Sequence, residues 1–287
     1  MGVRSEIGGP ASFFFGKMNI HPTAIVHKGA KLADDVTVGP YSVIEEHVEI
    51  GKGAVIGSHC VLKGYTTIGE NNHFFTGAVI GEIPQDLKYK GEKTFLEIGN
   101  NNSFREYVTV NTGTAEGEGK TRIGNDVHIM AYTHIAHDCH VADNVIIANG
   151  GTLGGHVEIG EKATLGGLVG IHQFVRVGKL AMVSAFSKSV KDVIPFSLVG
   201  GNTTRVYGLN SIGLKRAGIA PEVQGNLKQA FHLLFKGSLS HQEALDEIRK
   251  RCGGSDEIRE FLSFIESSKR GICTRDRQDA EGVSWSE

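Results

Sequence analysis

The sequence predicts a mainly β protein, a solenoid of short stacked strands followed by a C-terminal α-helical domain. An aliphatic residue, or occasionally Phe, stands at every sixth position from Ile20 to Val183, in runs with only two interruptions, and the period is gone after Pro195. A period of six matches neither the helical repeat of about 3.6 residues nor simple strand alternation, and it is typical of solenoids. Many of the 39 glycines fall at repeat corners, where tight turns need them.

The repeat positions form three runs that two insertions separate. The runs extend from Ile20 to Ile80, from Ile98 to Val110 and from Ile123 to Val183. Residues 84–92 and the glycine-rich residues 113–119 lack the period, so we expect both segments to loop out of the solenoid. Insertions into a regular coil either carry function or are tolerated surface loops, and the sequence leaves both possibilities open.

Three six-residue segments in each turn would give a triangular prism with about 18 residues per coil. The flat faces of such a prism invite side-by-side packing, and a closed cyclic trimer suits a three-sided body. We therefore predict a homotrimer in which the helical region caps the end of the prism.

Helical signals replace the period after Pro195. The predicted helices are Leu209–Ala217, Pro221–Lys236 with Gly237 as its stop, a helix through Arg251 that follows a Ser240–Glu243 capping box, and Ser255–Lys269. The predicted divisions are an N-terminal extension (1–17), the solenoid (18–200), the helical domain (201–272) and a disordered tail (273–287).

Composition narrows the classes of function. A formal charge of −2 over 287 residues gives no reason to expect a nucleic-acid binder. The four cysteines are far apart, which argues against a disulfide framework and a structural zinc site and fits a reducing compartment. No apolar run approaches the roughly 18 residues of a membrane span. We therefore expect a cytoplasmic protein without stable membrane insertion.

Five of the 13 histidines lie close together in the third run: His134, His137, His140, His156 and His172. Repeat positions stack on successive coils, about 4.8 Å apart, so His137, His156 and His172 should form a column roughly 10 Å tall. Ordinary surface hydrogen bonds, a metal site and acid–base chemistry all fit such a column. The residues alone leave the three interpretations open.

The segment His-Ile-Ala-His-Asp-Cys at residues 134–139 is the most distinctive motif. Others are Pro-Gln-Asp-Leu-Lys-Tyr at 84–89, Gly-Gly-His-Val at 154–157, Ile-His-Gln-Phe at 171–174, Gly-Leu-Asn at 208–210 and Gly-Leu-Lys-Arg at 213–216. From about Met18 to Ile272 the chain resembles the bacterial UDP-N-acetylglucosamine O-acyltransferases of lipid A biosynthesis. The resemblance implies a left-handed parallel β-helix of hexapeptide repeats with a C-terminal α-helical domain, assembled as a homotrimer.

The resemblance also implies an activity, the transfer of an (R)-3-hydroxyacyl chain from acyl carrier protein to the glucosamine 3-position of UDP-N-acetylglucosamine. His137 would be the general base, Asp138 would orient it, and the Gly155 N–H would be the oxyanion donor. No cofactor and no metal are implied. Substrate contacts would come from Gln85, Asp86, Lys88, His134, His156, His172, Gln173, Asn210 and Arg216, and an acyl-chain pocket from Met182 and Ala185.

Three positions depart from common family patterns. Asn111 stands where several members have His, Ile212 where many have an acid, and Ala217 where many have a second arginine. Because some branches of the family acylate a 3-amino sugar, an N-acyltransferase is one alternative. A trimeric zinc enzyme of the carbonic anhydrase type and a non-catalytic scaffold are two others. For Asp86 and Lys88 a solvated loop competes with substrate binding.

Overall fold

The structure is a computed structural model that describes residues 19–236 and 239–275. The N-terminal extension over residues 1–17, the helix stop at Gly237 and residues 276–287 of the predicted tail lie outside the described residues. The predicted fold class is confirmed, because three sheets, parallel except for the last strand pair of one of them, form a left-handed β-helix and helices follow it.

Each sheet forms one face of a triangular prism, and the faces are called A, B and C in the order in which a coil crosses them. Face A contains β1 (Asn19–Ile20), β4 (Thr37–Val38), β7 (Val55–Ile56), β10 (His73–Phe74), β13 (Ser103–Phe104), β16 (His128–Ile129), β19 (Ile146–Ile147), β22 (Thr164–Leu165), β25 (Met182–Val183), β27 (Ser197–Gly200) and β28 (Arg205–Leu209). Face B contains β2 (Ile25–Val26), β5 (Val43–Ile44), β8 (Val61–Leu62), β11 (Val79–Glu82), β14 (Thr109–Asn111), β17 (His134–Ile135), β20 (Thr152–Leu153), β23 (Gly170–Ile171) and β26 (Lys188–Ser189). Face C contains β3 (Lys31–Leu32), β6 (Glu49–Ile50), β9 (Tyr65–Ile68), β12 (Phe95–Ile98), β15 (Lys120–Ile123), β18 (His140–Val141), β21 (Glu158–Ile159) and β24 (Arg176–Val177).

The six-residue period builds the core of the prism. Repeat positions stack directly on one another, as Ile135 does on Leu153 and Leu153 does on Ile171, in agreement with the predicted coil length. These side chains are almost completely removed from water. Burying one aliphatic side chain of this size contributes about 1.5–3 kcal/mol, so the stack supplies much of the stability.

The two insertions leave the prism without breaking its register. The first lengthens one coil, so that Ile80 pairs with Val110, and the second lengthens the next, so that Val110 pairs with Ile135. Sheet pairing resumes on all three faces after each insertion. Both segments therefore loop out of the solenoid, as the sequence predicts.

The edges of the prism are tight corners with left-handed backbone. Asp138, His156 and Phe174 lie on successive coils of the edge between faces B and C, with φ of 57°, 60° and 63°. This edge, called the BC edge below, lies opposite face A. Because a left-handed φ is strained for most residues, the hydrogen bonds between coils must hold these corners in place.

Four helices follow β28: α1 (Ser211–Arg216), α2 (Pro221–Lys236), α3 (His241–Arg251) and α4 (Asp256–Glu266). They occur where the sequence predicts helices, and the capping box of Ser240 and Glu243 is present. The apolar face of α4 is buried, at Ile258, Phe261, Leu262 and Ile265. Among the described residues, none of the helices has the length and hydropathy that a bilayer span requires.

The end of the described chain differs from the prediction of a tail that starts at residue 273. Cys273 is buried, its Sγ lies 3.2 Å from Thr204 Oγ1, and its N–H donates to the Asp192 carbonyl. Arg275 donates from Nε to the carbonyl oxygen of Val206. The chain therefore stays packed on the prism through residue 275.

A buried ion pair joins α4 to the prism. The side chain of Asp192 is 2% exposed and accepts from the backbone N–H and the Nε of Arg176 and from Ser268 Oγ. The same guanidinium donates to the Phe264 carbonyl and stacks over the Phe264 ring. Removing one partner of a buried pair leaves the other charge uncompensated.

We expect Asp192→Ala to lower the free energy of unfolding by about 3 kcal/mol, because Arg176 and Ser268 lose their common acceptor. Urea unfolding at one protein concentration measures this change. The matched control is Glu49→Ala, which breaks an exposed pair with Lys31 and should cost less than about 1 kcal/mol. Equal costs for the two variants would contradict the role given to Asp192.

Candidate active site

The BC edge brings together most of the acid–base residues that the sequence singles out. Strand β17 leads into His137 and Asp138, β20 leads into Gly155 and His156 one coil away, and β23 leads into His172. The His156 N–H donates to the His137 carbonyl at 3.0 Å, which stacks the two corners directly. The three histidines of the predicted column thus lie on one edge.

His137 and Asp138 form the centre of this edge. His137 Nδ1 lies 2.9 Å from Asp138 Oδ2, and the His137 side chain is 14% exposed. An ionised carboxylate only accepts hydrogen bonds, so Nδ1 must carry the proton of the neutral ring. Nε2 is then an acceptor, and it has no hydrogen-bond partner in the described part of the chain. The geometry makes Nε2 a free base.

The carboxylate of Asp138 is buried and saturated with donors. Its side chain is 1% exposed, and it accepts from the Thr114 N–H at 3.0 Å and from Thr114 Oγ1 at 2.6 Å. Burial raises the pKa of Asp138, but the hydrogen bonds from His137 and Thr114 more than offset this, and the pKa lies below its usual value. Asp138 is therefore a carboxylate at neutral pH and holds the imidazole in one orientation.

The second insertion supplies this support. Thr114 belongs to it, and the Gly117 N–H donates to Thr114 Oγ1 at 3.2 Å. A Cβ at Gly117 would lie 2.7 Å from Asp138 Oδ2, so only glycine fits against the carboxylate. From the prism, Thr121 Oγ1 accepts from the Asp138 N–H. The second insertion therefore surrounds the Asp138 carboxylate and supplies hydrogen-bond donors to it.

Gly155 lies against the imidazole of His137. A Cβ at this position would collide with Cε1 and would lie 2.5 Å from Nε2. Among the described residues the Gly155 N–H has no acceptor. A glycine here leaves both the base and a backbone donor open to a bound molecule.

His156 lies beside this pair. Its ring stacks on Phe174 at 4.3 Å and meets the His137 ring edge-on at 5.1 Å. Burial lowers the pKa of His156 and nearby His137 lowers it further, while carboxylates including Asp138 and Asp86 oppose the shift. His156 is therefore biased toward the neutral form, in which one ring nitrogen donates and the other accepts.

His134 supports the edge from within face B. Its Nδ1 lies 2.7 Å from Thr109 Oγ1, and burial, with a smaller contribution from His137, lowers its pKa. His172 and Gln173 are exposed on the next coil. The Nδ1 of His172 lies 3.1 Å from the Gln173 carbonyl oxygen and 3.3 Å from Arg270 Nη2. Among the described residues, the His172 ring makes no contact with the paired rings of His137 and His156.

One group of side chains here has the spacing of a metal site. Ligand atoms of His137, Asp138 and His156 lie within 4.8 Å of one another. A cation would have to compete with the hydrogen bonds that already occupy the Asp138 carboxylate. His172 is not in the group, so within one chain these residues do not form the three-histidine zinc site considered from the sequence.

The first insertion contacts the second. Lys88 Nζ lies 3.1 Å from Glu116 Oε2, and the Asp86 carboxylate accepts from the Lys88 N–H. Gln85 is exposed. The buried amide of Asn111 donates to the Ile83 carbonyl at 2.9 Å, so Asn111 fastens this insertion to the coil beside β17.

The remaining predicted contacts lie around face A, opposite the BC edge. Asn210 caps α1 through Oδ1 and donates from Nδ2 to the Leu180 carbonyl, so its amide is already engaged. Arg216 is exposed at the end of α1, and no partner for it occurs in the described ranges. Met182 lies in β25, and Ala185 lies at the corner between faces A and B. One chain does not bring these residues to His137.

No role was predicted for Thr114, Gly117, Thr121 or Phe174, although Phe174 ends the Ile-His-Gln-Phe motif. Phe174 could have been found, because it lies 18 residues after His156 and the same coil spacing relates the two. Thr114 and Gly117 could not, since an insertion has no register from which a contact can be inferred.

Known acyltransferases are similar to this chain over most of its length. A family model described as UDP-N-acetylglucosamine O-acyltransferase, domain 2, matches residues 192–273, and a bacterial transferase hexapeptide model matches residues 29–64 and 120–155. The acyl-[acyl-carrier-protein]–UDP-N-acetylglucosamine O-acyltransferase of Sulfurihydrogenibium sp. is 54% identical over 89% of this chain and 94% of that protein. The enzyme of the same name from Thermodesulfovibrio yellowstonii is 47% identical over 88% of this chain and 98% of its own.

Solved structures show the same similarity. LpxA from Acinetobacter baumannii superimposes with a TM-score of 0.86 at 41% identity, over 88% of this chain and 99% of that chain. UDP-N-acetylglucosamine acyltransferase from Campylobacter jejuni gives 0.85 at 39% identity, over 90% and 100%. The chain belongs to the UDP-N-acetylglucosamine O-acyltransferase family.

Proposed function

We propose that this protein transfers an (R)-3-hydroxyacyl chain from acyl carrier protein to the 3-hydroxyl of UDP-N-acetylglucosamine, the first step of lipid A biosynthesis. The observation that carries the proposal is the His137–Asp138 pair packed against Gly155 in a chain of this family. We place the reaction in the cytoplasm, which agrees with four free and buried cysteines.

The proposed reaction begins with proton transfer to His137. A sugar hydroxyl is a poor nucleophile, and Nε2 accepts its proton as the oxygen attacks the thioester carbonyl carbon. Asp138 keeps the proton of Nδ1 in place and stabilises the imidazolium that forms. When the tetrahedral intermediate collapses, the C–S bond breaks, and the same proton passes from Nε2 to the departing thiolate.

Gly155 stabilises the charge that develops in this step. Attack places a negative charge on the former carbonyl oxygen, and the Gly155 N–H, which has no acceptor within the described part of the chain, lies beside the base. Removing one such donor typically costs about 10²–10³-fold in kcat. We assign His156, His172 and Gln173 to further contacts with the substrates along this edge.

The other substrate contacts lead us to propose a homotrimer. Met182 lies on face A and Ala185 at the corner between faces A and B, whereas His137 lies on the BC edge, so we infer that a second copy brings this part of face A to the BC edge. A face-to-edge contact is heterologous, and a three-sided body closes it after three copies. In this assembly Arg216 of one subunit would bind the nucleotide phosphates, and Met182 and Ala185 would line the acyl-chain pocket.

An apolar row along the edge between faces A and B supports the assembly. Tyr107 and Tyr132 stack with ring centroids 5.3 Å apart and are half to two-thirds exposed. Leu168 and Phe186 are 58% and 74% exposed on later coils. A line of exposed apolar residues of this length marks a surface that another protein covers.

The first insertion is the proposed site for the sugar. Asp86 and Lys88 lie near the contact between the two insertions, where Lys88 pairs with Glu116. The negative charge of Asp86 acts to raise the pKa of His156, against the larger lowering by burial. We therefore assign Gln85, Asp86 and Lys88 to contacts with the glucosamine ring. Since the thioester itself supplies the activated acyl group, the proposed chemistry uses no cofactor and no metal.

His137→Ala should lower kcat by at least about 10²-fold, because the hydroxyl loses its proton acceptor. The measurement is acyl transfer from 3-hydroxyacyl carrier protein to UDP-N-acetylglucosamine, with size-exclusion chromatography as a check of assembly. The control is His140→Ala, an exposed histidine on the next strand, which should keep its activity. Near-normal turnover without the His137 imidazole would reject the assigned base.

Gly155→Ala should lower kcat by about 10²-fold with little change in stability, because the added methyl group displaces the His137 ring. Gly170→Ala is the control, since a Cβ there meets nothing within 4 Å. Steady-state kinetics and thermal unfolding of both variants separate catalysis from folding. If the alanine at position 155 left kcat unchanged, the close approach to His137 would have no catalytic meaning.

Mass spectrometry of the products from a panel of 3-hydroxyacyl carrier proteins tests the acyl-chain pocket. Ala185→Met should shift the preferred chain toward fewer carbons, because the larger side chain fills the end of the pocket. Ser184→Met, at the half-buried position one residue away, would not produce the shift if Ala185 alone limits the chain. Parallel assays with the 3-amino analogue of the sugar distinguish an O-acyltransferase from an N-acyltransferase, and elemental analysis for stoichiometric zinc tests the metal alternative.

A further inference from the structure

The segment that follows α4 places Arg270, which carries a permanent positive charge, at the BC edge beside His172. Arg270 Nε donates to the Val190 carbonyl at 3.2 Å, and the Asp192 N–H donates to the Gly271 carbonyl at 2.9 Å. Val190 follows Ser189, whose carbonyl accepts from the His172 N–H. Arg270 is therefore fixed to the coil next to that of His172.

The guanidinium reaches His172 directly. Arg270 Nη2 lies 3.3 Å from His172 Nδ1, and the Gln173 carbonyl oxygen lies 3.1 Å from the same nitrogen. A guanidinium only donates and a carbonyl only accepts, so these neighbours favour opposite tautomers of the neutral ring. Nε2 of His172 has no hydrogen-bond partner among the residues that the structure describes, and the side chain is exposed.

We propose that Arg270 is a positioning residue that holds His172 in the tautomer with the proton on Nε2. In that form Nε2 donates a hydrogen bond to an acceptor oxygen of the bound acyl or sugar substrate. Without Arg270 the proton moves to Nδ1 and bonds the Gln173 carbonyl, and Nε2 becomes an acceptor that faces the same oxygen. Only the substrate contact rests on the proposed function, because the competition between the charged Arg270 donor and the neutral Gln173 acceptor is a property of the free protein.

Nitrogen NMR of histidine-labelled protein tests the tautomer without any turnover. We expect His172, assigned by its loss in His172→Gln, to carry its proton on Nε2 in the wild type and on Nδ1 in Arg270→Met. Lys269→Met removes the neighbouring charge, which has no partner in the described chain, and should leave the wild-type pattern. A wild-type ring protonated on Nδ1, or an unchanged ring in Arg270→Met, overturns the proposal, and the wild-type spectrum decides even if the variant does not fold.

Kinetics test whether the tautomer matters for the reaction. Arg270→Met should lower kcat/KM about tenfold, and Arg270→Lys should restore part of the loss because a donor returns. In a His172→Ala background Arg270→Met should have no further effect, since it acts through the imidazole. Multiplicative losses would show a merely structural role and overturn the proposal, whereas a wild type without acyl transfer would overturn the proposed function and leave the NMR result standing.

Discussion

The hydrogen bond between corresponding corners of successive coils is the interaction on which the candidate site depends. The His156 N–H bonds the His137 carbonyl, and the Phe174 N–H bonds the Gly155 carbonyl, so each corner is held about one strand spacing above the last. This spacing brings a glycine against an imidazole and stacks a phenyl ring on another imidazole. Corners with left-handed backbone would not persist singly, but a stack in which each corner bonds the next keeps them.

A constant coil length also explains how much could be predicted from the sequence. The period of six leads to the three faces, and a coil of three segments leads to one edge for His137, His156 and His172. The helices were predictable for an independent reason, because capping residues and apolar spacing act locally. Roles such as those of His137 and Gly155 came from the family likeness, and the period alone left surface hydrogen bonds, a metal site and acid–base chemistry all open.

What could not be predicted lies where the period fails or where another chain is needed. Thr114 and Gly117 surround Asp138 from an insertion, and an insertion has no register that could point to its contacts. The position of Arg270 depends on how the helical region folds back, which no repeat encodes. The separation of Met182 from His137 is different in kind, because the coil geometry itself places β25 on face A and His137 on the opposite edge, and in the proposed trimer a second subunit would bring them together.

Two histidines on the BC edge have different hydrogen-bonding neighbours, an acceptor beside His137 and a donor beside His172, and this difference favours different tautomers of the two rings. Asp138 only accepts, so it keeps a proton on Nδ1 of the neutral His137 ring and leaves Nε2 as an acceptor, the state that the proposed base requires. Arg270 only donates, so at His172 it favours the reverse arrangement and leaves Nε2 as a donor. An acyl-transfer reaction needs a base for the attacking hydroxyl and also hydrogen-bond donors that hold the other substrate oxygens in position. Arg270 comes from the segment after the helices, and Asp138, a corner residue of the repeat, is held by Thr114 of the second insertion, so both arrangements depend on chain outside the regular coils.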